Sequence, residues 1–450
     1  MSSGGRRVVV SNVFSDDNRG GAAITAATVH AALHAMPGAA ITLVAVEGEA
    51  GLLKESHRHT LKEFPNAELL PAPLYPKGRF GGLRAVLRSL LVLARSRAFC
   101  PSNGALRRLV EADLVISKGG FIFVDRRHFG GLMSFWLTVF PVVFAIRHGT
   151  PTVIYGATIG PFEKRASRCL GGWVLRHVSF VMPRDPRSAH AARQLGVPPE
   201  RLYEMPDCAF SLAHLGAKRS VGLPAQLGLK SPFAAVTVRC IGTRVERDAF
   251  LDRLAQTLRQ VLDRRLVHHL ALVVQYSGVR AGDLRATNEL AVRLDDRRVT
   301  LVSNDFSPQE LMVLYSSAKF IVASRLHSAI FALVAGTPAV AFSIDGKKTE
   351  GVFDSLGLSD WVLPYPYFDE SVALETISLI ASDCGSARRV TYASARRARN
   401  EVSKANEALR AEVENILNAR GAEQCARPAN FNIESGTRAS ATRDSRTSRF

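Results

Sequence analysis

Short, continuous aliphatic runs separated by helical stretches recur along the whole chain, and few architectures accommodate them. In the first half they cover residues 7–12, 41–46, 113–117, 152–156 and 179–182; in the second, 233–238, 270–275, 299–302, 320–323 and 339–343. Runs without polar alternation belong to strands buried on both faces, as in a parallel sheet covered by helices. A Gly- and Pro-bearing stretch at 213–232 separates the two series and reads as a linker. Two such alternations predict an α/β protein of two doubly wound, Rossmann-like domains facing a cleft. The expected boundaries are 1–215, a linker at 216–232, 233–385, C-terminal helices at 386–420, and a disordered basic tail at 421–450, where the sequence turns polar and Arg-, Ser- and Thr-rich. In such folds ligands sit beyond the carboxyl ends of the strands.

Composition narrows the partners. Hydrophobic residues make up 47% and charged residues 22% of 450, a profile of soluble globular proteins, and the net charge is +18. Anionic substrates and anionic lipid suit that charge. The arginines are spread out, with no helix-turn-helix and no interleaved aromatic–basic motif, so nucleic acid is not expected. The six cysteines lack zinc or redox spacing, and no metal-ligand cluster is visible. Scattered thiols and an apolar-poor stretch from Met1 to Arg7 point to the cytoplasm.

Two segments raise the question of a membrane. Residues 129–146 carry no charge and approach the length of a span, but Gly130, Gly131 and Pro141 interrupt them. A buried helix is the first reading and membrane contact the second. Residues 83–95 alternate leucines with Arg84, Arg88 and Arg95, which suits an ordinary surface helix or one lying on the inner face of an anionic membrane.

Polar residues that follow predicted strands are the candidates for chemistry. In Ser324-Arg325-Leu326-His327 a strand turns into a helix, whose N-terminal N–H groups and dipole favour an anion. Arg325 offers a bidentate fork and His327 a proton carrier. Arg184 and Asp185 follow another strand; Asp185 can cap the next helix, orient Arg184, or both. Arg239 follows the first strand of the second series, and Lys347 and Lys348 come one strand after His327. Gly119 and Gly120 allow close backbone approach, although glycines at such turns are commonly steric. Asp207 can orient a base or hold a loop, and the loop role is the expectation. Ser307-Pro308-Gln309-Glu310 has the chemistry of a helix start.

The ordered set resembles the polysaccharide pyruvyl transferase family. The matching stretches are Asn18-Arg19-Gly20-Gly21, 113–120, 156–161, Arg184-Asp185 with Ser188, Leu195-Gly196-Val197, Asp207 with Ala209-Phe210, 324–327, Gly336-Thr337-Pro338, and Lys347 with Gly351 and Leu356-Gly357-Leu358. Cys208, Ile344 and Phe121 depart from residues common in the family. The resemblance implies a fold like that of GT-B glycosyltransferases. It implies phosphoenolpyruvate as donor, no further cofactor, and a sugar of a polysaccharide or lipid-linked glycan as acceptor. The product is then a pyruvate ketal, with phosphate released. It assigns catalysis to His327, and donor binding to Arg184 and Lys347, with Arg325 and Leu326 beside the catalytic position. A nucleotide-sugar glycosyltransferase of the same fold and a non-catalytic glycan- or anion-binding protein are the competing readings.

Overall fold

The computed structural model describes residues 5–47, 50–74, 81–95, 103–124, 131–212, 222–278, 282–344 and 348–426. Its strands form two parallel sheets. The first contains β1 (Arg7–Val13), β2 (Ala40–Ala45), β3 (Glu68–Leu70), β4 (Leu114–Ser117), β5 (Gly120–Phe123), β6 (Thr152–Ile159) and β7 (Phe180–Pro183). Their order is β3-β2-β1-β4-β6, with β5 continuing the β4 flank of β6 and β7 on its other side. The second contains β8 (Phe233–Thr237), β9 (His269–Val273), β10 (Val299–Val302), β11 (Ile321–Ala323), β12 (Ala339–Ser343) and β13 (Val362–Pro364), in the order β10-β9-β8-β11-β12-β13. In each sheet the strand order reverses beside the first strand, so a crevice opens at the carboxyl edge there.

The aliphatic runs became these strands because helices cover both sheet faces: all five residues of β8 and all eight of β6 are buried. Three short strands were not expected from the sequence. β3 and β13 have three residues each, and β5 grows out of the Gly119-Gly120 turn. β6 also runs past Gly156, where a turn was expected, with a register shift between Tyr155 and Ala157.

Among the helices are α1 (Arg19–Ala35), α2 (Arg58–Glu63), α3 (Gly81–Arg95), α4 (Gly131–Arg147) and α5 (Pro186–Gln194) beside the first sheet. α6 (Asp283–Leu294) and α7 (Leu326–Val334) lie beside the second. α4 is the apolar stretch with Pro141 inside it. It buries Val139, Phe140, Val142, Phe144 and Ala145, which accounts for its composition by packing. Among the described residues no helix is long and apolar enough to cross a membrane.

The C-terminal segment is one helix, α8 (Cys384–Ala426), which continues past residue 420, where the polar tail was expected to begin. It crosses back to the first sheet. Tyr155 donates from Oη to Asn406 Oδ1 at 2.7 Å, and His34 Nε2 meets Glu407 Oε1 at 2.9 Å. One apolar cluster therefore runs through both halves, from Val8 and Val29 through Phe210 to Phe331, Val402 and Leu409. Burial on that scale fixes the relative placement of the two sheets.

Candidate active site

The two halves meet through the loop after β1. Asn18 pairs with Tyr276 as an antiparallel bridge, and Ser277 N donates to Asp17 O at 3.1 Å. Arg19, at the start of α1, is almost fully buried and reaches across to Asp305 Oδ1 at 2.5 Å and Ser277 Oγ at 3.2 Å. From α2 Arg58 also hydrogen-bonds Asp305, and His59 Nε2 lies 3.1 Å from it. Burial would raise the Asp305 carboxyl, but Arg58, His59 and Arg19 outweigh it and hold the group well below the usual carboxylate range.

His327 sits in the first turn of α7, directly after β11. Its helix starts at Arg325, which is extended and contributes no side-chain cap. The imidazole packs over α1: a Cβ placed on Gly20 would lie 2.5 Å from both Cγ and Nδ1 of His327. Only glycine allows that approach. Nε2 points inward, is buried without a hydrogen-bond partner, and lies 3.6 Å from Asp207 Oδ2. That separation is an ion-pair distance rather than a hydrogen bond.

Asp207 is the buried centre of the arrangement. Oδ2 accepts from Arg184 Nη1 at 3.0 Å, and Oδ1 accepts from Ala209 N at 3.0 Å. Both side chains of the Arg184–Asp207 pair are nearly inaccessible to solvent. Burial alone would raise the carboxyl, but His327, Arg184 and the Ala209 N–H hold it far below the ordinary range. The group is thus held toward its carboxylate form and faces a histidine. Such a partner helps to orient an imidazole.

The other predicted residues have varied placements. Asp185 caps α5, accepting from Ser188 N at 2.8 Å and Ser188 Oγ at 2.7 Å. Ser188 Oγ in turn accepts from Ile159 N at 3.1 Å, which ties α5 to the end of β6. Arg184 is oriented by Asp207, so capping is the observed role of Asp185. Gly119 serves a backbone contact: a Cβ there would meet the Gly156 carbonyl at 2.1 Å. Gly120 begins β5 at φ 116° and faces open space. Leu326 packs partly buried against the shared core. Arg239 places its backbone N–H on Ser324 Oγ at 2.5 Å, at the crevice edge of β8. Lys347 lies outside the described residues.

Arg325 is engaged within the protein. Nε and Nη2 both bind the carboxylate of Asp283, with Nη2 at 2.6 Å from Oδ1, and the guanidinium stands 5.2 Å from the Tyr276 ring centroid. Asp283 is buried at the start of α6, and burial raises its carboxyl despite the arginine. The fork expected to clamp an anion therefore holds the His327 turn to α6. Asp283 is absent from the sequence-based candidates, and Gly20 and Asp207 have roles in the site that sequence did not favour. Asp283 carries only the weak signal of an acid at a helix start. Gly20 belongs to a motif that glycine's steric uses already explain. For Asp207 the loop role is the one sequence favours over orienting a base, and the structure gives it both a loop contact at Ala209 and a place facing His327. Among the described residues no group of three His, Cys, Asp or Glu side chains could hold a metal ion.

The chain is 23% identical over 267 residues to the amylovoran biosynthesis protein AmsJ of Erwinia amylovora. The match takes in 56% of this chain and spans 61% of that relative's length. Among solved structures, Anabaena Alr3699/HepE in complex with UDP-glucose superposes with a TM-score of 0.57 at 13% identity, covering 92% of this chain and 99% of that one. UDP-GlcNAc 2-epimerase from Neisseria meningitidis, bound to UDP-GlcNAc, superposes at 0.59 and 10% identity, covering 89% and 99%. At such identities these likenesses concern the fold, which is GT-B-like. The profile of the polysaccharide pyruvyl transferase family matches residues 54–346, which include Arg184, Asp207, Arg325 and His327. The chain belongs to the polysaccharide pyruvyl transferase family.

Proposed function

We propose that this protein transfers the enolpyruvyl group of phosphoenolpyruvate onto a sugar of a polysaccharide or lipid-linked glycan. The pyruvate ketal closes across two hydroxyls and phosphate is released. The observation that carries this reading is the buried Arg184–Asp207 pair aimed at His327, inside the segment that matches the family.

The chemistry needs one proton on the methylene carbon and two new carbon–oxygen bonds at the adjacent carbon. The carbon–oxygen bond to phosphate breaks. Of the two protons leaving the sugar hydroxyls, one ends on the new methyl group and the other on phosphate. His327 is the group proposed to move them. With Nε2 turned to Asp207, the Nδ1 side beside Gly20 is left for the substrate. The carboxylate fixes the placement of the ring, and an imidazole that takes a proton as a base can return it as an acid. Arg184, Arg239 and Lys347 are the cations proposed for the donor. Arg325 and Asp283 hold the turn that presents His327.

Incubation with phosphoenolpyruvate and a panel of lipid-linked sugars tests the reading. Phosphate release with the mass gain of one ketal-linked pyruvate on an acceptor is expected. Release of UDP from a nucleotide sugar instead would establish the glycosyltransferase reading. Binding of glycan without turnover across a broad panel would establish a non-catalytic one.

A further inference from the structure

α3 carries an unusual surface. Gly81, Ala85 and Ser89 face inward, and Ser89 Oγ accepts from Trp136 Nε1 of α4 at 2.6 Å. On the opposite side Leu83, Leu87, Leu90 and Leu91 are each at least half exposed. At 3.6 residues per turn these four leucines fall within about 100° of the circumference. Arg84, Arg88 and Arg95 fall within about 40° immediately beside them. Single exposed leucines are ordinary, but a contiguous stripe of four on one helix marks an interaction surface.

The charge is as one-sided as the apolar stripe. Six basic residues and no acidic one lie between Lys77 and Arg97. Among the described residues Arg84, Arg88 and Arg95 have no interaction with a carboxylate. Among the described residues no hydrogen bond or ion pair engages these three cations.

A cavity of about 390 Å³ adjoins the same helix. Gly82 of α3 lines it together with Val46, Met133, Leu137 and Phe140, and Asn12 at the end of β1 closes one wall. The cavity therefore sits at the carboxyl edge of the first sheet, the edge from which the loop leading into α1 departs.

We propose that α3 is a membrane-interface helix. The leucine stripe enters the acyl boundary of an anionic bilayer, and the arginine stripe lies among its phosphates. Three observations favour lipid over a protein partner. The stripe has no aromatic anchor of the kind that dominates protein interfaces. It has no acid to pair with a partner's bases. Its cations flank the apolar stripe along one side, where long side chains extend to the headgroups. α3 has 15 residues and a substantial polar side, so it lies on the bilayer rather than across it. This surface does not depend on the reaction proposed above, and its test requires no turnover.

The test is flotation of the full-length chain with phosphatidylcholine–phosphatidylglycerol vesicles, with pure phosphatidylcholine vesicles as the second arm. At low salt the wild type is expected to float with the anionic vesicles only, and to detach as salt is raised. Arg84→Gln/Arg88→Gln and Leu87→Glu/Leu91→Glu are each expected to lower partitioning about tenfold or more. A wild type that stays unbound to both vesicles overturns the proposal. So do variants that float as well as the wild type, which would move the contact elsewhere on this basic chain. A change of oligomeric state in Leu87→Glu/Leu91→Glu without loss of flotation would assign the stripe to a second copy. Should a variant melt early, a polarity-sensitive label on Leu90→Cys gives a second reading. A blue shift on anionic vesicles is expected, and unchanged emission overturns the assignment.

Discussion

Nε2 of His327 stands 3.6 Å from Oδ2 of Asp207, and the two residues come from opposite halves of the chain. Asp207 is also held by Arg184 at 3.0 Å, so its position does not depend on the histidine. The imidazole is therefore brought to a fixed negative charge when the halves come together. His327→Ala is expected to lower kcat about 10²- to 10⁴-fold, with the KM for phosphoenolpyruvate changed much less. Asp207→Asn should lower kcat too, and it should also destabilise the fold, because it removes one charge from the buried Arg184–Asp207 pair. Steady-state kinetics beside urea unfolding separate the two variants. Unchanged kcat in His327→Ala would remove the histidine from the chemistry.

Gly20 and Gly21 make a paired control. A Cβ at Gly20 would collide with the imidazole, whereas one at Gly21 meets nothing nearer than 3.7 Å. Both lie in the first turn of α1, where alanine is the better helix former. Gly21→Ala should be near neutral or slightly stabilising. Gly20→Ala should keep the fold and lose about 10- to 100-fold in kcat, because the ring must turn away. Thermal melts and turnover of the two variants provide the check.

The Arg325–Asp283 pair distinguishes a structural arginine from an anion clamp. Removing one member of a buried pair strands the other charge, so Arg325→Ala should cost about 3–5 kcal/mol. Arg325→Met/Asp283→Leu should recover most of that loss. A free anion clamp would behave otherwise, with a raised KM and unchanged stability. Denaturant unfolding of the two singles and the double decides between the two roles.

Lys118 is buried under α1, where its Nζ donates to Gly21 O and Thr25 Oγ1, each at 2.8 Å. Burial pushes its pKa down to about 8, against the upward pull of Asp16. Between that value and about 10.5, the usual lysine pKa, the unfolded chain keeps a proton that the folded chain has released. Stability owed to this residue therefore rises with pH across the window, by at most about 3 kcal/mol, and the penalty is full below it. Tyr155, Tyr315 and Cys208, all raised by burial, act in the opposite direction at alkaline pH. The quantity to measure is thus wild type minus Lys118→Met. That difference should grow in favour of the wild type from pH 7.5 to pH 9.5, and a flat difference would show that the lysine stays charged in the fold.

The parallel strands were legible because burial on both faces demands continuous aliphatic runs, as in β8 and β12. The helix start at Ser307 was legible because its capping box with Glu310 is local chemistry. His327 was legible as the second residue of a helix following a strand. β3, β5 and β13 were not, since each abuts Gly or Pro residues that read as a turn: Pro71 after β3, Gly119 before β5, and Pro364 and Pro366 at the end of β13. Arg325 looked available because sequence gives its charge but not the distant acid that engages it.

The sequence by itself determined two parallel α/β units, the crevice edge on which Arg184 and His327 lie, and the family pattern. Those properties follow from periodicity and local turn chemistry, which act over a few residues. Tertiary structure alone decided that Gly20 supports the imidazole, that Asp207 faces it, and that Asp283 engages Arg325. These contacts join residues from 42 to more than 300 positions apart. They exist because one apolar core, closed by α8, brings both sheets together. Burial then forces each charge left inside to find a counter-charge.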